Sequence, residues 1–209
     1  MRRRTAALAL LVALLFPSPP GTAGEEGEKW EKDGSKGGVT VYTRPVEGSE
    51  IKEIKGIATV DTSTDRVWEH LVTDKTFLKT MPDVVKSKKI EDCGDTCVYY
   101  YQVLHHPPIK DRHYVLKIEW QIKEKDGQKS YRRWWRVSKD VAPPASGPLL
   151  VEKMDGAWNL TPKEGGKKTL IVYRNHIEMG GKVPVAILNP AAVSNAYGFL
   201  KNLKAAFKK

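Results

Sequence analysis

Between residues 85 and 178 six strand-length runs follow one another with short breaks between them: 85–91, 98–104, 113–123, 130–138, 149–161 and 169–178. The breaks carry turn chemistry: Cys93-Gly94-Asp95-Thr96-Cys97, His106-Pro107-Pro108, Asp126-Gly127, the Pro- and Gly-rich stretch 142–148, and Gly165-Gly166. Connections this short leave no room for crossover helices, so the runs must pair with their neighbours as an antiparallel meander. Two further runs, 39–44 and 49–61, precede them. There is no internal repeat, and no interior linker long enough to divide the chain into domains.

Helical signals stand at two places only. Thr62-Ser63-Thr64-Asp65 is a capping cluster, and Val67, Trp68, Leu71 and Val72 then fall on one helical face. Residues 74–81 add a second helical turn before Pro82. At the C-terminus Val193, Ala196, Tyr197, Leu200, Leu203 and Phe207 recur at three- and four-residue spacing. Ser194, Asn195, Lys201, Asn202 and Lys208 fill the opposite face; Asn189-Pro190 reads as cap and first turn, or as a kink after a preceding helical turn over 182–188. The class is therefore α+β: a curved antiparallel sheet with one long apolar-faced helix to cover it. Such a sheet encloses either a packed core or a hollow, and periodicity does not decide which.

The run 113–122 has the clearest faces. Tyr114, Leu116, Ile118, Trp120 and Ile122 point one way; His113, Val115, Lys117, Glu119 and Gln121 point the other. Trp158 lies on the inward face of a later strand, and Tyr173 on that of the next. In Tyr131-Arg132-Arg133-Trp134-Trp135 the alternation puts one arginine and one tryptophan on each face, so one arginine faces inward. An arginine buried without a partner is costly, so an interior one would need a partner.

The N-terminus reads as an address. Arg2, Arg3 and Arg4 precede an uninterrupted apolar run, Ala6 to Phe16, and a small-residue site ending at Ala23 follows. Eleven helical residues span ~16 Å, about half a bilayer core, so this is a secretory signal over 1–23 and not a membrane span. Residues 24–209 form the mature domain, with 24–38 a loose Glu-, Lys- and Gly-rich leader. Loss of the three arginines lowers the formal charge from +10 to +7, 32 basic against 25 acidic residues. Export and the lack of a nucleic-acid motif exclude a nucleic-acid partner; the basic balance suits an anionic membrane surface. Lys201, Lys204, Lys208 and Lys209 form the candidate docking cluster. The two cysteines, Cys93 and Cys97, flank a three-residue hairpin connection at a spacing that a disulfide accepts. An exported chain would keep that bridge.

The corner His105–His113 packs three imidazoles, two prolines and Asp111-Arg112 ahead of the apolar strand. Adjacent His105 and His106 point apart in extended chain, so a metal site is not the reading. Asp111 and Arg112 are expected to pair or to bind backbone carbonyls there. Neither a nucleophile-base arrangement nor a phosphate loop is present.

In order and spacing these stretches resemble the START family, the steroidogenic-acute-regulatory-related lipid-transfer domains, and in particular its exported bacterial members. The resemblance runs over about residues 28 to 208. It is carried by the opening strands from Gly37 to Asp61, the pair of helical segments 65–84, the corner Pro107 to Val115, Trp158 to Pro162, and the stretch 169–189 with its Gly180-Gly181 turn. The family's corner reads Pro-x-x-x-Arg-Asp-aromatic-Val; here His113 follows Arg112, and the acid, Asp111, precedes it. Some sterol-binding relatives carry a buried acid-base pair, and Ile118 stands at the basic position here.

The resemblance implies a helix-grip fold, in which the sheet wraps the C-terminal helix around a tunnel for one lipid, with the helix and adjacent loops as a gate. Leu116, Ile118, Trp120, Trp135, Trp158, Tyr173, Leu188, Val193, Tyr197 and Leu200 are the expected ligand-binding residues. The implied protein is a monomeric, exported lipid carrier without cofactor, metal or covalent chemistry. Two other readings stand beside it. One is a cyclase-type enzyme on the same fold, using Tyr100, Arg133, Tyr173 or His176. The other is a non-lipid interaction module with a solid core.

Overall fold

The computed structural model describes residues 29–81 and 83–208. The proposed signal 1–23, the first part of the leader and Lys209 lie outside the described residues.

The chain opens with three antiparallel strands, β1 (Glu31–Lys36), β2 (Val39–Val46) and β3 (Ser49–Val60). Two short helices follow, α1 (Thr64–Val72) and α2 (Asp74–Thr80). The meander then runs through β4 (Val84–Gly94), β5 (Cys97–Leu104), β6 (Arg112–Lys125) and β7 (Gln128–Val137). After the two-residue β8 (Leu149–Leu150) come β9 (Lys153–Lys163), β10 (Lys168–Glu178) and the long helix α3 (Val185–Ala206). The sheet has the order β1-β2-β3-β10-β9-β7-β6-β5-β4, with β8 added parallel to the start of β6. Because β3 pairs with β10, the segment containing α1 and α2 carries the chain from mid-sheet to the far edge at β4. Those helices and α3 thus cover one face of a large antiparallel sheet.

Local chemistry explains the turns. Asp126 and Gly127, both at positive φ (52° and 70°), form the two-residue connection from β6 to β7. A turn with both central residues left-handed matches strand twist, and Asp-Gly supplies it at low steric cost. At the next hairpin outward Cys93 and Cys97 are disulfide-bonded, with Cα atoms 5.0 Å apart.

The core lies between the sheet and α3. Ala196, Phe199, Leu200 and Leu203 are buried at helical spacing, and Phe199 stacks on Trp158 (ring centroids 5.9 Å) and meets Tyr173 (4.9 Å). Each such large side chain contributes about 1.5–3 kcal/mol by burial. Leu200 sits over Gly56 of β3, where an added Cβ would stand 2.6 Å from its Cδ1. That missing side chain lets the helix approach the sheet.

Several sequence expectations are corrected here. Residues 31–36, assigned to a loose leader, form β1, and Trp30 beside it is covered by Lys55 (4.2 Å) and Arg44 (4.7 Å). The run 149–161 is broken at Val151, which is fully buried and donates its N–H to the His113 carbonyl. Asn189 does not cap α3, which starts four residues earlier and continues through Pro190. Its side chain is engaged by tertiary structure instead: Oδ1 accepts from the Lys52 N–H (2.9 Å) and Nδ2 donates to the Glu50 carbonyl (3.3 Å). Ile122, expected to face inward, is 47 % exposed at the end of β6.

Candidate functional site

Sheet and helix do not close on a solid core. Between them lies a cavity of about 290 Å³, at the lower end of the range for small-molecule sites. The gap has a cause in α3. Its cavity-facing positions include Ala191, Ala192, Ser194, Asn195 and Gly198. A Cβ added at Gly198 would meet nothing within 4 Å. Small side chains stand where a solid core would need large ones. The sequence reading put Ser194 and Asn195 on the outer face; they line the cavity.

Six of the ten expected ligand-binding residues line this hollow: Leu116, Ile118, Trp135, Trp158, Tyr173 and Leu188. The other four do not. Leu200 is fully buried against Gly56, and Val193 packs on the edge of the core. Tyr197 reaches past the sheet edge to Gly34, and Trp120 meets Trp68 outside the hollow (centroids 6.5 Å). Even spacing along a strand or helix marks a face, but that face is longer than the cavity. Phe77, Phe199, Met179 and Ile187 line it without having been singled out. Of the residues named for an enzyme, Tyr100, Arg133 and Tyr173 line it, whereas His176 does not. His176 is buried near Ser49, Asp155 and Glu178.

Strand register gives the cavity two ends. Arg133, Trp158 and Tyr173 are aligned across β7, β9 and β10. Six residues further along β10 the chain reaches Met179, which at about 3.3 Å per residue is ~20 Å away. The inner end is walled by Leu71, Val72 and Asp74 at the junction of α1 and α2, with Tyr100 and Arg133. The outer end is walled by Ile51, Ile109, Met179, Ile187 and Leu188. Ile187 is itself 43 % exposed, and exposed Leu149 (45 %) and Leu150 (49 %) lie against the Gly180-Gly181 turn that follows Met179.

The corner is built at that outer end. Arg112 is 2 % exposed and donates from Nε to the Met179 carbonyl (3.1 Å) and from Nη2 to the Gly180 carbonyl (3.2 Å). Its Nη1 donates to the Lys110 carbonyl. Arg112 thereby ties the corner before β6 to the loop that precedes α3. Asp111 does not pair with it; its Oδ1 meets His105 Nδ1 at 2.8 Å. His106 meets Asp83 (3.2 Å) and His113 meets the Tyr101 hydroxyl (3.4 Å). The three imidazoles thus have three separate partners, and no group of three metal-ligating side chains occurs among the described residues.

The interior polar groups fall into two kinds. Tyr114 donates to Gln102 Oε1 (3.2 Å), Gln102 Nε2 donates to Ser87 (3.1 Å), and Trp135 Nε1 donates to Asn175 Oδ1 (3.2 Å). Burial pushes the Tyr114 and Tyr173 hydroxyls well above their ordinary pKa, so both stay neutral. Arg133 is different. It donates from Nη1 to the Leu71 carbonyl (3.2 Å) and lies 5.3 Å from the Trp158 ring. Burial pulls its pKa down to about 10, against the opposing influence of Tyr100 and Asp74, so it remains a cation at neutral pH.

The proposed lysine cluster sits elsewhere. Lys204 donates to the Thr59 carbonyl (2.8 Å). Lys201 is exposed, thirteen residues beyond Leu188 and therefore ~20 Å along the helix from the outer end. Lys208 lies further still. No helix among the described residues is long and apolar enough to cross a membrane.

A large antiparallel sheet holding one long C-terminal helix over an apolar hollow defines the helix-grip class of fold. Comparison with known proteins narrows the class. No family model matches the chain. A crystal structure described as a STAR-related lipid transfer protein from Xanthomonas axonopodis superposes with a TM-score of 0.74, at 28 % identity over 86 % of this chain and 99 % of that one. Rat phosphatidylcholine transfer protein is 23 % identical over 85 % of this chain and 83 % of its own length. An uncharacterised protein of Pseudomonas aeruginosa is 26 % identical over 97 % of this chain and 96 % of its own. In both sequence and fold the chain is similar to the START, or StAR-related, lipid-transfer domain family.

Proposed function

We propose that this protein is an exported carrier that holds one lipid in the cavity between sheet and α3 and performs no covalent chemistry. The observation that carries the reading is the apolar hollow itself, in a chain similar to the lipid-transfer family. The physical task is then clear. An amphiphile with ~400 Å² of apolar surface costs about 10 kcal/mol to move into water. A protein that receives the tail directly from a bilayer removes that step. The outer end suits such an exchange: Ile187 lines it, Leu149 and Leu150 lie beside it against the Gly180-Gly181 turn, and all three are exposed apolar side chains. The family includes a relative named phosphatidylcholine transfer protein, which supports a lipid as cargo.

Export is supported by the signal-like pattern over residues 1–23 and by the Cys93–Cys97 disulfide. The test of both claims is native mass spectrometry of the protein recovered from its own compartment, followed by organic extraction. The expected mass begins after Ala23 and carries one lipid per chain. An intact N-terminus would sink the export claim. A bare mass that persists after incubation with mixed liposomes would sink the carrier.

A further inference from the structure

Two hydrogen-bond donors at the inner end of the cavity have capacity that the protein does not use. Trp158 Nε1 is buried and meets no hydrogen-bond partner among the described residues. Arg133, 8 % exposed, makes its one hydrogen bond to the Leu71 carbonyl, and its remaining N–H groups find no acceptor among the described residues. Both side chains line the hollow. Buried donors are nearly always satisfied, and an orphaned one calls for an explanation. The contrast with their neighbours sharpens the point, since Gln102, Tyr114 and Trp135 are satisfied within the same wall.

The chemistry of the pair is one-sided. A guanidinium offers only donors, in a planar fork that matches the two oxygens of a carboxylate or phosphate. An indole N–H also only donates. Tyr100 and Asp74 lie near Arg133. They leave its free N–H groups without a hydrogen bond. We propose that Arg133 and Trp158 form an oxyanion subsite at the inner end of the cavity, so that the cargo is an amphiphile with a phosphate or carboxylate head bound inward and its tail towards Met179 and Ile187. This rests on the carrier reading and adds its head-group class and orientation. The register supports the orientation, because the donors are ~20 Å along β10 from the outer end. The wall between carries Trp135, Ile177 and Met154, which suit a hydrocarbon chain.

The test titrates the mature protein with three single-chain probes: oleate, lysophosphatidate and monoolein. They share the tail and differ in a carboxylate, a phosphate or a neutral head. Oleate or lysophosphatidate should bind about tenfold or more tightly than monoolein, as a charge-assisted hydrogen bond at a buried site implies. Which anion binds more tightly assigns the head. In Arg133→Met the ratio of anionic to neutral affinity should fall towards one. Trp158→Phe keeps the ring, removes the donor and should lower the same ratio several-fold, which covers the case in which Arg133→Met fails to fold. Equal binding of monoolein and both anions by the unaltered protein would overturn the subsite and leave the carrier standing. A ratio maintained in folded Arg133→Met would overturn it too. If none of the three probes binds, carrier and subsite fall together.

Discussion

Gly156 on β9 lies directly against the indole of Trp135 on β7. A Cβ at Gly156 would stand 2.5 Å from Trp135 Cζ2 and 2.6 Å from the Arg174 carbonyl oxygen. The two residues are paired in register, and Trp135 forms part of the cavity wall. The glycine therefore sets how far the indole lies back from the hollow. Any side chain there must push Trp135 into the cavity or move the β10 backbone. Gly156→Ala should destabilise by about 1–3 kcal/mol as an overpacked core does, a fall of roughly 2–10 °C in Tm for a domain of this size. The 3.2 Å bond from Trp135 Nε1 to Asn175 would be strained with it. A melting curve with unchanged or raised Tm would refute the packing argument.

Gly198 makes the opposite prediction. It lies inside α3, where glycine costs about 1 kcal/mol relative to alanine, and nothing occupies the space a Cβ would fill. Its retention is a cost to the helix that the hollow explains. Gly198→Ala should raise Tm, and Gly198→Leu should lower the amount of lipid bound per chain while the protein stays folded. Calorimetry and lipid extraction on the same samples check both. Loss of stability in Gly198→Ala would show that the position is packed, not open.

How much of this could be read from residues alone differs by level. The strands were legible because turn residues punctuate them, and α3 because its apolar positions recur at helical spacing. Two misreadings have one cause. Asn189 has cap chemistry but bonds to the start of β3, and residues 31–36 lack apolar alternation but pair with β2. In both, a tertiary partner outweighed the local signal. The cavity was legible only through faces. Trp135, Trp158 and Tyr173 line it, while Leu200 on the same kind of face is fully packed. What separates them is the small-residue stretch from Ala191 to Gly198, a signal that was present in the sequence and had been assigned partly to solvent. Which of Arg132 and Arg133 turns inward depends on sheet register, and register is a property of the assembled sheet.

His70 gives the fold a pH dependence of defined sign. Its Nε2 lies 2.6 Å from Thr80 Oγ1, and its ring packs against Phe207 at the end of α3 (5.2 Å). Burial lowers its pKa from the ordinary 6.5. The unfolded chain therefore takes up the proton first as pH falls. Its contribution is fully present above pH 6.5 and is lost progressively below it, down to the lower pKa of the folded state. Denaturant unfolding between pH 8 and 5 should show stability falling over the acid half, with a shallower slope in His70→Gln. An identical slope in the variant would remove His70 from the account.

The last prediction separates two routes to the membrane. The C-terminal lysines were expected to dock the protein, yet Lys204 is held by the Thr59 carbonyl, and Lys201 and Lys208 lie far along α3 from the outer end of the cavity. Ile187 lines that end, and Leu149 and Leu150 lie beside it. Arg112 fixes the loop between them through the Met179 and Gly180 carbonyls. Contact through this apolar rim should depend little on ionic strength, whereas lysine docking to anionic vesicles should weaken as salt screens it. The double change Leu150→Glu with Ile187→Glu should slow lipid transfer between vesicles at all salt concentrations. Lys201→Glu with Lys208→Glu should slow it only between anionic vesicles at low salt. A rim variant that transfers as fast as the unaltered protein, beside a lysine variant that fails, would return docking to the helix end and require the lipid to leave from there.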